Sequence, residues 1–351
     1  MVRLIWFVVV VCSLWAERYV AIDNVCAWPN VKVLPDGRLM AVIFNQPGHG
    51  GRDGDVEAWV SRDGGKLWER SGTVAPHEPG TLRLNVAFGL AHDGAPVVLA
   101  AGAVVERPRS DIWLPVWASR SEDGGKTWRH AATVRLPEGV DHLIPYGDIV
   151  QLPGRRLAAS FYIHYGTTAK GLKLDPPRKG PGGTAYVLFS DDDGRSWGNG
   201  VVMGKDDYNE TTLLRVRDGR MLAAARTYRD AHLELFASED EGTTWKREGP
   251  ISLPRQIPAS LLRLADGRIL VTYGVRERGN RGVAVRVSAD EGRTWEAAWP
   301  IVKLEGARDS GYPSTVQLAD GTLVTAWYAS GIVQHERYHM GVLRWKLEPP
   351  R

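Results

Sequence analysis

One eight-residue pattern recurs five times along the chain and limits its fold more than any other feature. SRDGGKLW begins at Ser61, SEDGGKTW at Ser121, SDDDGRSW at Ser190, SEDEGTTW at Ser238 and SADEGRTW at Ser288. All follow S-x-D-x-G-x-T-W, and only Leu67 and Ser196 depart from it, both at the Thr position. The residue types suit a hairpin connection. The Asp accepts backbone N–H bonds inside the turn, the Gly takes positive φ, and the Trp covers the turn with apolar surface. Repetition of one short unit marks an array of supersecondary elements. The run DDDG from Asp191 starts like a calcium loop but lacks the roughly twelve-residue span and closing Glu of that motif. Asp63, Asp123, Asp192, Asp240 and Asp290 are therefore read as structural.

A second unit, an apolar run, a tight turn and another apolar run, precedes each octapeptide. It reads VKVLPDGRLMAVIF, VAFGLAHDGAPVVLA, DIVQLPGRRLAASFYI, TLLRVRDGRMLAAAR, SLLRLADGRILVTYG and STVQLADGTLVTAWY. Asp-Gly between β-rich runs signals a hairpin. Six such units, five followed by an octapeptide hairpin, predict an all-β, six-bladed β-propeller of four-stranded antiparallel sheets. The sixth unit ends in HMGVLRWKL without an octapeptide, and the early strand RYVAI at 18–22 is expected to join it and close the ring. One domain over 17–351 accommodates everything. The 39 glycines and 14 tryptophans fit many short strands and tight turns, and long helical periodicity is absent. A net charge of +3 with no run of Lys and Arg excludes a nucleic-acid surface.

The start, MVRLIWFVVVVCSLWAERYVAI, places Arg3 before an apolar run to Val11 and a small residue at Ala16. Residues 1–16 read as a secretory signal peptide, with an uncleaved anchor or a buried strand as alternatives. The run is too short for a comfortable membrane span, so a secreted or periplasmic protein without stable membrane insertion is expected. Cys12 would leave with the signal, and Cys26 would remain as the single thiol.

In a propeller the first strand of each blade lines the central channel, and its start reaches one mouth. Here those starts carry Trp28 and Asn30, Asn85, Tyr146 and Asp148, Asn209 and Glu210, Ser260, and Tyr312. The octapeptides resemble the Asp boxes of the sialidase superfamily, and the resemblance covers nearly all of 17–351. SGYPSTVQLADG is similar to that family's tyrosine strand, and NETTLLRVRDGRMLAAAR to its glutamate strand and the arginine that follows. The resemblance implies Tyr312 as nucleophile, Glu210 as its partner and Arg226 as a ligand for a sugar carboxylate. It implies a second arginine shortly before a box, Arg281, with Arg276 the nearest competitor. An acid/base Asp would come from NQPGHGGRDGDVEAW, Asp53 in preference to Asp55. Trp28, Asn30, Asn85 and Asp148 are expected to line the sugar pocket.

The chemistry accounts for the pair. A free tyrosine has a pKa near 10, so only about 0.1% is phenolate at neutral pH, and a neighbouring carboxylate must take its proton during attack. A Tyr nucleophile is an established exception among glycosidases, and a neutral phenol avoids the repulsion an anionic sugar would exert on a carboxylate. Arginine forks suit the sugar's carboxylate because they pair with it bidentately.

The chain departs from the family at Ala27-Trp28-Pro29, where an Arg-Ile-Pro element is usual. Losing one charged contact costs about 1.5–3 kcal/mol, or on the order of 10–100-fold in affinity. Lys32, Arg52 or Arg83 would have to fill that space, or Trp28 would stack on a sugar face instead. The expected activity is a retaining exo-α-sialidase-like hydrolysis of sialylated or other acidic glycans, without cofactor or metal. The alternatives are a glycosidase or lyase for another, uronic sugar and a non-catalytic glycan-binding propeller. A Gly-, Pro- and Lys-rich insertion at 164–183 carries Lys170, Lys173 and Lys179 beside the mouth, and NET at Asn209 matches a glycosylation sequon.

Overall fold

A computed structural model describes residues 17–105, 112–131, 134–165, 168–169 and 182–347. The signal-peptide segment 1–16, with Cys12, and the insertion lysines Lys170, Lys173 and Lys179 lie outside the described residues. The fold is all-β and propeller-like. The first sheet is a meander of Ala27–Val33, Leu39–Phe44, Val56–Ser61 and Glu69–Ala75. Two more meanders follow the same plan, Tyr208–Arg215 through Lys246–Pro250 and Gln256–Arg263 through Trp299–Lys303. The last sheet orders Asp309–Gln317, Leu323–Ser330 and His339–Trp345, and Glu17–Asp23 completes it by pairing antiparallel with His339–Trp345. The first and last described strands thus share one sheet. No helix among the described residues is long and apolar enough to cross a membrane.

The expected separation into six four-stranded sheets needs correction. The units beginning at Thr81–Leu90 and Ile144–Gln151 belong to one nine-stranded sheet, because those two strands pair in parallel through Gly147–Ala87 and Asp148–Phe88. Glycine permits the approach: a Cβ at Gly89 would sit 2.2 Å from the Ile149 carbonyl oxygen. The short strand Thr168–Ala169 adds a further parallel pairing, onto Ile112–Arg120.

Each octapeptide forms the turn its composition predicts. Ser61 Oγ donates to Asp63 Oδ1 at 2.8 Å, Gly65 N–H donates back to Ser61 Oγ, and the Lys66 and Leu67 N–H groups bond the same carboxylate. At the Thr position of four boxes a hydroxyl also donates to the second carboxylate oxygen, from Thr127, Ser196, Thr244 and Thr294 at 2.6–2.7 Å. Strands that carry apolar side chains on both faces pack sheet against sheet, so Leu39, Ala41, Ile43, Val324 and Ala326 of the first and last units share one core. Inner strands touch their neighbours in chain order, and Asp309–Gln317 touches Ala27–Val33. Antiparallel order puts the octapeptide turns at one end of the sheets and the starts of the inner strands at the other.

Candidate active site

All six inner strands break their ladder near the start. The pairing register shifts between Ala27 and Asn30, Leu84 and Val86, Tyr146 and Val150, Tyr208 and Thr211, Gln256 and Ala259, and Gly311 and Ser314. Bulges re-aim side chains, and here several non-glycine residues take positive φ: Ala27 (55°), Trp28 (46°), Asn85 (48°) and Tyr312 (54°). Bulky residues hold that region only where the surroundings enforce it, and such residues cluster at functional sites.

The bulge in Asp309–Gln317 brings Tyr312 to Glu210, which opens the buried end of Tyr208–Arg215. Tyr312 Oη donates to Glu210 Oε1 at 2.5 Å. Arg226, near the end of the adjoining strand Met221–Thr227, donates from Nη1 to Glu210 Oε2 at 2.5 Å and to Tyr312 Oη at 3.3 Å. Its Nε and Nη2 both reach Asp230 Oδ1, at 2.9 and 2.6 Å. Burial, then the Glu210 charge, push the Tyr312 phenol well above its usual range, with Arg226 and Arg276 opposing. The phenol is therefore neutral at rest and must lose its proton during any attack, and Glu210 is placed to take it. Burial alone would lower the Arg226 pKa, but Glu210, Tyr312 and Asp230 hold it well above its usual value.

Arg276, just past the strand Ile269–Val275, is the second arginine of the cluster. Its guanidinium stands 6.0 Å from the Tyr312 ring centre and 3.5 Å from Asp309. Arg281 is not in this cluster. It precedes the third strand of its sheet, Gly282–Ser288, and borders a depression with Gln256, Trp299 and Lys303. Each strand step outward adds about 4.8 Å, which separates two arginines only five positions apart.

The blade-one loop divides between two neighbours. Asp53 and Asp55 face the next sheet: Asp53 accepts from Gly80 N–H at 2.9 Å, and Asp55 accepts from His77 N–H and Nδ1 at 2.8 and 2.7 Å. The bridge between Gly54 and Leu82 pulls them there. The earlier half of the loop goes the other way, and His49 Nε2 pairs with Asp309 Oδ2. Asp309 also accepts from Tyr328 Oη at 3.1 Å and Tyr338 Oη at 3.0 Å. Burial raises the Asp309 pKa, but His49 and then Arg276 outweigh it and hold the carboxyl well below its usual range. Sequence reasoning passed over His49, Asp309 and Asp230. The only signal was a histidine inside the loop already singled out.

Trp28 stacks on Phe44 at 5.4 Å and lies 6.1 Å from the Tyr312 ring, so it walls the Tyr312 side of the mouth. Asn30 and Asp148 are tied into the channel. Asn30 Nδ2 donates to the Gly147 carbonyl at 2.5 Å, Lys32 Nζ bridges Asn30 and Asp148, and Thr212 donates to Asp148 at 2.8 Å. Asn85 donates to Tyr162 Oη at 3.0 Å. Trp28, Asn30, Asn85, Asp148 and Thr212 line an axial cavity of about 30 Å³, room for little more than a water. Of the three cations named for the gap at Ala27, Arg52 is exposed on its loop and the other two are held elsewhere. Lys32 is held by Asp148, and the Arg83 guanidinium lies 3.8 Å over the Trp117 ring, its pKa lowered to about 10 by burial. Asn209 is buried and accepts from Glu210 N–H at 2.7 Å, so the sequon is closed in the folded protein. Among the described residues no group of three or more His, Cys, Asp or Glu side chains gathers as a cation site. A larger depression of about 480 Å³ opens beside Asp309, walled also by Pro47, Arg308, Glu336, Arg337 and Tyr338.

Comparisons place the chain among known proteins. The family model described as BNR repeat-like domain matches residues 37–325. A sialidase from Micromonospora viridifaciens is 27% identical over 88% of this chain, which covers 51% of that protein, so the chain spans about half the length of this relative. A protein of unknown function from Dyadobacter fermentans superposes with a TM-score of 0.76 at 20% identity, over 95% of this chain and 98% of the other. A Hadza microbial sialidase superposes with a TM-score of 0.72 at 18% identity, over 94% of this chain and 68% of that one. These structures show the shared fold, and the family match extends over most of the chain. The chain belongs to the BNR repeat-like domain family, within the sialidase superfamily of β-propellers.

Proposed function

We propose that the protein is a retaining glycoside hydrolase of the sialidase type, its propeller counted as six blades, acting outside the cytoplasm on terminal sugars of acidic glycans. The observation that carries the reading is the 2.5 Å bond from Tyr312 Oη to Glu210, braced by Arg226. A neutral phenol bonded to a carboxylate is an activated nucleophile, and a pure binding protein has no chemical need for it. In the first half-reaction Tyr312 Oη attacks the anomeric carbon while Glu210 takes the phenolic proton. In the second, water attacks the same carbon and the proton returns to Tyr312 as it leaves. Arg226 and Arg276 lie beside the phenol, where a sugar carboxylate would be held.

One observation favours a second reading, a sugar other than sialic acid. Two faces of the Arg226 fork are filled by Glu210 and Asp230, Arg276 faces Asp309, and Ala27 supplies no third cation. Hydrolysis of a fluorogenic α-sialoside, run beside uronosides and neutral glycosides, separates the two. Release from the sialoside, abolished in Tyr312→Phe, supports the first. Release only from other sugars, again lost in Tyr312→Phe, supports the second. No release from any of them by folded protein refutes hydrolysis altogether.

A further inference from the structure

The expected acid Asp53 bonds the Gly80 N–H of the next sheet at 2.9 Å, whereas His49 of the same loop lies against the aromatic rings beside Tyr312. We propose that His49 is the proton donor for the departing oxygen, and that Asp309 positions it; this rests on the reading of Tyr312 as nucleophile. His49 sits in the loop between Leu39–Phe44 and Val56–Ser61, with its ring 5.1 Å from Trp28, which is itself 6.1 Å from the Tyr312 ring. Tyr328 joins the two as well, 5.6 Å from the His49 ring and 5.7 Å from that of Tyr312. His49 Nε2 is committed to Asp309, with Tyr328 Oη at 3.3 Å, and no described residue bonds Nδ1.

A carboxylate bonded to one ring nitrogen fixes the tautomer and supports positive charge on the ring, and imidazole exchanges protons near neutral pH. Asp309 serves in that way and is fixed in turn by Tyr328, Tyr338 and Arg276. Asp309 also walls the 480 Å³ depression, whose size falls within the range of ligand pockets, so the partner of His49 borders a space large enough for a leaving sugar.

The proton balance closes. As the anomeric C–O bond breaks, the leaving oxygen takes the proton from His49 Nδ1, while the Tyr312 proton passes to Glu210. In the second half-reaction the attacking water gives a proton to Nδ1, and Tyr312 recovers its own from Glu210.

Leaving-group dependence tests the assignment. A 4-methylumbelliferyl α-sialoside departs with little help, whereas sialyl-lactose needs protonation. His49→Ala is expected to lose roughly 10²–10⁴-fold in kcat on sialyl-lactose and less than about 10-fold on the aryl sialoside. Asp309→Asn, which keeps the shape but drops the charge, is expected to lower kcat on sialyl-lactose with KM nearly unchanged, and to spare the aryl substrate. Equal losses on both substrates, or none on either, overturn the role of His49 while leaving Tyr312 in place. A folded wild-type protein that turns over neither substrate overturns the sialidase reading and this inference with it.

Discussion

At the end of the molecule that carries the octapeptide turns, one arrangement repeats: five Ser hydroxyls each donate to an Asp two residues on, all at 2.8 Å. At the opposite end of the same sheets no two inner strands present the same set. One offers Trp28, another Asn85, another Glu210, another Tyr312, and each strand reaches its position through its own register shift. In each turn the Ser, the Asp and the Gly N–H bond one another within eight residues of sequence. The mouth does the reverse, since Glu210 and Tyr312 meet across 102 positions and His49 and Asp309 across 260. Local networks form the turns, and long-range ones assemble the candidate site.

Breaking the mouth should abolish turnover with little effect on stability. Tyr312→Phe removes only the hydroxyl and is expected to lower kcat by roughly 10³-fold or more, and Glu210→Gln by roughly 10²–10⁴-fold. Melting temperature and turnover measured side by side check this; a collapse of folding would instead make the pair a structural brace. His49→Ala ranks next, with its loss confined to poor leaving groups.

Breaking a turn should do the opposite. Asp290 accepts from the Thr294 hydroxyl and N–H and from Ser288. Asp290→Ala is expected to cost about 1–3 kcal/mol in denaturant unfolding and to leave kcat unchanged. The same bonds, from the Thr294 hydroxyl first and then its N–H, lower the Asp290 carboxyl from 3.8 to about 2. A lowered folded pKa contributes stability above the unfolded value that is lost as pH falls through the folded one. The difference in stability between wild type and Asp290→Asn should therefore be full above about pH 4 and shrink toward about pH 2, as acid unfolding curves would show.

The smallest effect sharpens the comparison. Leu67 leaves the first turn without the hydroxyl that four other turns supply, and its side chain is exposed. Leu67→Thr should add about 0.5–1 kcal/mol of stability. No gain would mean that the hydroxyl bond is redundant with the backbone N–H bonds.

The same division explains what the sequence revealed. The turns, the hairpins and the strand 18–22 closing onto the last sheet were legible because each is written in a few adjacent residues. Glu210 and Tyr312 near strand starts, and Arg226 near the end of a strand, were named through family resemblance, and the structure brings the three side chains together. Arg276 could not be told from Arg281, because the difference is one strand step rather than a residue type. The sequence does not record that the loop carrying His49, Asp53 and Asp55 is pulled toward two neighbours, by Leu82 on one side and Asp309 on the other. The merger of two units into nine strands depends on how closely Gly89 lets Ile149 approach, which no hairpin pattern records.

The central claim is that Tyr312, with Glu210 taking its proton, attacks the sugar. Incubation with 2,3-difluorosialic acid, whose first step is fast and second slow, followed by peptide mass mapping tests it most directly. The account predicts one covalent sugar on the peptide containing Tyr312, absent from Tyr312→Phe. An adduct on Glu210 or any other residue, or turnover of sialosides with no adduct at all, would contradict it.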